Sequence, residues 1–168
     1  MRLLVFIFLP INLIAQQLIG FEDIPFKSSK EIVIEEMLKF ENVKLGYERD
    51  DVLGFQGGEY GANKVYFWSF HFFNDQLHTV DIVFRRPEAL NRLREDIINY
   101  ITQKYGVESL EKLDNNKNLA NTWYFYNEGK NPTDLINLIL YETSTEVTTY
   151  QLSFVNIKLF QKSEQQGE

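Results

Sequence analysis

The chain has 168 residues, 44% of them hydrophobic, 15% aromatic and 24% charged, with a formal net charge of −7. That is enough chain for one domain with a sizeable core, and an acidic balance without a long Lys/Arg run speaks against a nucleic-acid partner. The absence of cysteine excludes a disulfide framework, thiolate chemistry and a lipid-bearing cysteine.

The first residues have the form of an export signal. Arg2 gives a short basic start, Leu3 to Ile14 is apolar, and Ala15 offers a small residue for cleavage between Ala15 and Gln17. Residues 1–15 are therefore expected to be a signal peptide and residues 16–168 a single domain, periplasmic or extracellular. The apolar run is interrupted by Pro10 and Asn12 and falls short of the roughly 20 residues that span a bilayer. A buried N-terminal strand is the competing reading. No later stretch is long and apolar enough for a membrane span.

Gln16 to Pro25 reads as an extended lead-in anchored by Leu18, Ile19 and Phe21. Ser28 followed by Glu31 is a capping-box pattern, and Ile34, Met37 and Leu38 share one face, which predicts a helix ending by about Glu41. Val43–Tyr47 and Val52–Phe55 are short strands on either side of a charged turn. A glycine-rich connection, Gly57 to Asn63, leads into the long hairpin Val65–Phe84.

The hairpin's register follows from burial. With a three-residue turn, Asn74-Asp75-Gln76, Phe73 faces Leu77, Phe72 faces His78, Phe70 faces Val80, Trp68 faces Ile82 and Tyr66 faces Phe84. One face is then almost wholly apolar, and a slip of one residue would scramble both faces. The other face carries Phe67, Ser69, His71, Thr79, Asp81 and Arg85, while His78 falls with the core.

Pro87 stands at the first position of a second helix and Gly106 just past its last turn, with Leu90, Leu93, Ile97 and Ile101 as the apolar stripe. Val107 to Asn121 is polar and irregular. Thr122–Tyr126, Leu135–Glu142 and Val147–Asn156 read as strands. Residues 131–134 are alternatively the cap of a short helix, but the alternation favours a strand. From Lys162 onward the chain is expected to fray. The predicted fold is α+β, with two α-β-β-β units (residues 16–85 and 86–161) that share one antiparallel sheet. Two helices would pack on one face. The other would be open, or covered by a loop, a tail or a second copy of the chain.

Catalytic and metal chemistry find little support in the residues. Two histidines on opposite hairpin faces do not supply the three or four converging ligands of a zinc site. Asp114-x-Asn116-x-Asn118 begins like a calcium loop but lacks its later positions, and Gly57 to Lys64 does not match a phosphate loop. Ser69 and His71 lie two apart on a strand, about 7 Å, too far for a nucleophile and its base. No catalytic residue, cofactor or metal is predicted. Aromatic side chains mixed with a few polar ones on rigid strands suit protein recognition. The expected partner surface is Phe67, Ser69, His71, Phe73, Thr79, Asp81 and Arg85, joined by Tyr124 and Tyr126, and the expected partner is another envelope or secreted protein. Two further readings stay open: a carrier with an apolar pocket beneath Trp68 and Ile97, and a hydrolase using Asp and Glu side chains.

The segment Ile24-Pro25-Phe26-Lys27-Ser28-Ser29-Lys30-Glu31-Ile32-Val33 resembles the start of the β-lactamase-inhibitory proteins and of the small lipoprotein of the outer-membrane barrel-assembly machinery. In that superfamily a short strand and a capped helix precede a meander of aromatic strands. The resemblance implies an exported, non-enzymatic domain whose sheet face holds a partner. Lys27 stands where the family usually has glycine, and the lipid-bearing cysteine is missing, so no family binding residue is carried over.

Overall fold

The computed structural model describes residues 17–85, 88–113, 118–126, 130–142 and 148–166. The segment read as an export signal, Pro87 and most of the 114–118 loop tip lie outside them. Two short strands, β1 (Gly20–Phe21) and β2 (Ile24–Pro25), pair as an antiparallel ribbon. After α1 (Lys30–Met37) come β3 (Val43–Glu48), β4 (Val52–Gly57), β5 (Glu59–Tyr60), β6 (Asn63–Phe73) and β7 (Gln76–Phe84). Then follow α2 (Leu90–Tyr105), β8 (Leu110–Leu113), β9 (Leu119–Phe125), β10 (Asp134–Glu142), β11 (Thr148–Asn156) and α3 (Ile157–Gln166). The main sheet runs β3-β4-β6-β7-β11-β10-β9-β8, with β5 attached to β6, and every pairing in it is antiparallel. The fold is α+β, as the alternating strand patterns require.

Alternation along the strands gives the sheet one apolar face. Leu53, Phe55, Trp68, Phe70, Val80, Ile82, Leu152, Phe154, Ile136, Leu138 and Trp123 are buried there in one cluster with Val33 and Met37 of α1 and Leu93, Ile97, Ile101 and Tyr105 of α2. Both helices therefore lie on this face, here called the helix face. Gly106 ends α2 at φ 63°, a conformation that glycine adopts without a Cβ clash. The first helical residue is Leu90, later than the Pro87 start read from the sequence.

The ribbon does more than lead in. Phe21 is fully buried and its ring meets those of Phe40, Tyr60, Trp68, Phe70 and Phe154 at 5.2–6.4 Å. It occupies the volume between helices and sheet. Glu22 extends from the ribbon to the Lys104 ammonium at 2.5 Å, and that ammonium also lies 5.6–5.8 Å from the ring centres of Tyr60, Tyr100 and Tyr105. The ribbon is thus tied to α2 by charge as well as by burial, and the same burial raises the Tyr60 and Tyr105 hydroxyls above their ordinary pKa.

Three expectations are corrected. First, the segment read as irregular after α2 contains β8, whose four residues are all exposed, so each of the first two helices is followed by four strands of the sheet's continuous path, β5 lying off it. Second, the capping box read at Ser28 and Glu31 is not the one that starts α1: the N-cap residue is Ser29, and its side chain makes no cap hydrogen bond. The Lys30 N–H instead donates to Asp75 Oδ1 at 3.2 Å, so the carboxylate of the hairpin turn caps the helix. Third, the tail does not fray at Lys162: residues 157–166 form α3. Asn156 caps it, accepting from the Leu159 N–H at 3.0 Å and donating to the buried Asp134 at 2.7 Å.

Candidate functional site

The hairpin keeps the expected register through its middle, where Phe67 pairs with Val83, Trp68 with Ile82, Ser69 with Asp81, Phe70 with Val80 and His71 with Thr79. Its turn differs. Asn74 and Asp75 adopt φ 50° and 57°, the two-residue turn whose twist matches paired strands and which Asn and Asp tolerate. Phe73 consequently pairs with Gln76 and Phe72 with Leu77, and a bulge between His71 and Phe72 leaves His78 unpaired opposite His71. A bulge of this kind sends two consecutive side chains to one side of the sheet. His78 therefore leaves the core face, and its ring lies 6.4 Å from that of His71. The expectation that the two histidines face opposite ways is overturned by the shorter turn.

On this outer face the side chains join into a polar seam. Asp81 accepts from His71 Nε2 at 3.1 Å through one carboxylate oxygen and from the Ser153 hydroxyl at 2.5 Å through the other, and Gln151 donates to Ser153 at 3.1 Å. Because an ionised carboxylate can only accept, His71 carries its proton on Nε2. Ser153 spends its proton on a carboxylate rather than on an imidazole, which is not the arrangement of an activated nucleophile. Among the described residues no three His, Asp or Glu side chains converge to hold a metal ion. Ser153 escaped the sequence reading because its meeting with Asp81 depends on β11 lying beside β7, a pairing of strands that are far apart in the chain.

α3 crosses this face. The Phe160 ring packs 6.0 Å from that of His78, and Leu159 is the helix's buried side chain. A cleft of about 310 Å³ remains between them, lined by Asp51, His71, Phe72, His78, Thr79, Asp81, Phe160, Ser163 and Glu164. His78 is 6% exposed, and its Nδ1 lies 2.8 Å from the Thr79 hydroxyl. Burial pushes its pKa down to about 4, the neighbouring His71 adds to the shift, and Asp81 opposes it.

The residues expected to form the partner surface are therefore divided. Ser69 and Thr79 are buried, and His71 and Asp81 are bonded to each other on the cleft beside α3. Phe73 is half-buried next to the turn, and Arg85 is exposed at the opposite end of the hairpin, where it lines a separate cleft with Lys64, Glu41 and Glu59. Tyr124 is half-buried on β9, and Tyr126 is exposed beyond the end of that strand.

Phe67 remains outside the cleft and acquires neighbours that sequence reasoning missed. Its ring stacks on Tyr47 of β3 at 5.6 Å and 17°, and the Arg49 guanidinium stands 5.7 Å from the centre of the Tyr47 ring. Gly54 pairs with Tyr47 and lies directly beneath it: a Cβ there would come within 2.2 Å of the tyrosine ring. A second bulge leaves Tyr66 unpaired and 58% exposed. Tyr47, Arg49 and Phe67 thus form an aromatic and cationic group near the β3 edge of the sheet, with the exposed Tyr66 next to Phe67 in the chain.

Searches against family models, curated proteins and solved structures found no match to the chain. Among the described residues no helix is long and apolar enough to cross a membrane.

Proposed function

We propose that this chain is an exported, non-enzymatic binding module that engages another protein through the outer face of its sheet. The observation that carries the reading is the stacked group of Tyr47, Phe67 and Arg49, two aromatic rings held on strands and a guanidinium on the β3–β4 turn, with the exposed Tyr66 beside Phe67. Such side chains dominate binding energy in protein interfaces, since they cover large areas at a small loss of freedom. The polar seam beside them is internally hydrogen-bonded, so it tolerates contact without leaving a buried group unpaired. An apolar-ligand carrier finds less support, because Phe21 fills the space beneath Trp68 where its pocket would lie.

Two observations support the resemblance to the inhibitory proteins and assembly lipoprotein. Lys27 adopts φ 73°, the left-handed conformation that glycine takes most easily, at the place where that superfamily has glycine. Four consecutive sheet positions from each half of the chain meet at the β7–β11 pair, an arrangement consistent with two related α-β units joined at their last strands.

The test is capture from an extract of cells that produce the protein, with wild type and Tyr47→Ala/Phe67→Ala immobilised side by side. The wild type retains a defined protein, and the double variant binds that protein at least about tenfold more weakly, with unchanged circular dichroism. Equal affinity of a folded double variant would refute the site.

A further inference from the structure

The hairpin bulge, α3 and the buried imidazole meet at one point. His78 is turned to the outer face by the bulge, lies against Phe160 of α3 and is almost excluded from water. α3 itself is lightly held. Leu159 is its buried side chain, its Ile157 N–H donates to the Thr133 carbonyl at 3.1 Å, and residues 164–166 are exposed. A helix with so little burial opens at a fraction of the cost of unfolding the sheet.

We propose that α3 is an acid-released cover: protonation of His78 detaches the helix from the outer face and uncovers the β6–β7 strip beneath it for the partner. The inference rests on the reading that the outer face binds another protein. When α3 is docked, an imidazolium at position 78 sits under an apolar ring and beside a second histidine. When α3 is away, water solvates it. The charged groups around it do not cancel that difference. Asp81 favours the cation but already serves His71 and Ser153. Asp51, from the β3–β4 turn, and Glu164, from α3, stand on the rim of the cleft and are exposed to solvent. Lys27, Lys158 and Lys162 line a separate cleft against α3, away from the groups that act on His78.

The sign follows from linkage. The covered state holds His78 neutral down to about pH 4, whereas an uncovered histidine takes up its proton near pH 6.5. Acidification therefore favours the open state, on the order of 50-fold between pH 7 and pH 4.5. Hydrogen exchange on the full chain reads this directly, using protection factors for the α3 amides with those of β7 and β11 as reference. In the wild type the α3 protection falls by that factor relative to the strands. In His78→Gln, which keeps a polar side chain without the titration, it stays level, and in His71→Gln the fall persists. Constant α3 protection in the wild type, or the same fall in His78→Gln, would overturn the proposal. Measuring capture of the partner at both pH values separates the two readings. Opening without a gain in capture removes the β6–β7 strip from the partner surface but not the release, and a gain in capture without opening removes the release but not the surface.

Discussion

The two faces of the main sheet are built from the same hairpin and are closed in different ways. On the helix face, Trp68, Phe70, Val80 and Ile82 are sealed under α1, α2 and the ribbon residue Phe21, and the closure is mainly apolar, with the Glu22–Lys104 ion pair beside it. On the outer face, the cover is a single short helix over a seam of histidine, aspartate and serine. The first closure cannot be lost without losing the fold. The second rests on one buried side chain of α3, Leu159, and an element with so little burial is the cheaper one to open.

The largest expected effect tests the helix face. Phe21→Ala removes a ring that touches five others, and a cavity of that size costs about 3–5 kcal/mol. Urea unfolding measures it, and a loss below about 1 kcal/mol would mean that the ribbon is not part of the core. Next comes pH. The folded pKa of His78 lies below its ordinary value, so the stability it reflects is complete above pH 6.5 and is lost as pH falls toward 4. The unfolded chain binds the proton first over that range. The full shift corresponds to about 3 kcal/mol, measured as the difference between wild type and His78→Gln. If α3 opens before the sheet unfolds, the global loss stops at the free energy of that opening, so a plateau sharpens the contrast between the faces. The smallest effect is Ser153→Ala, which leaves one oxygen of Asp81 without its donor and costs about 1–2 kcal/mol by denaturation. A change within about 0.5 kcal/mol would show that water replaces the hydroxyl.

Much of the helix face was legible from the chain, because burial writes a period into the sequence. The pairing of Phe67 to His71 with Thr79 to Val83 follows from apolar residues recurring every second position. What stayed hidden lacked such a period. β8 is Leu-Glu-Lys-Leu at a sheet edge with no buried side, and α3 carries one buried leucine in a Gln/Glu-rich stretch. The turn is the instructive case. Asn-Asp fits a two-residue turn as well as a three-residue one, no glycine marks the choice, and the difference of one residue moves His78 to the other face. The candidate site follows from that displacement and from long-range pairing of β7 with β11, neither of which leaves a local mark. Phe67 and Asp81 could be placed on the outer face from sequence alone. Their partners Tyr47 and Ser153 could not.

Which face meets a partner can be decided by placing a photo-crosslinking amino acid at exposed positions on either side. Tyr66 is 58% exposed next to Phe67, and Leu38 is 54% exposed at the end of α1 on the helix side. Irradiation in the producing cells should join one defined protein to the chain from position 66 and none from position 38. Crosslinking of a defined protein from position 38, with none from position 66, would contradict binding through the outer face.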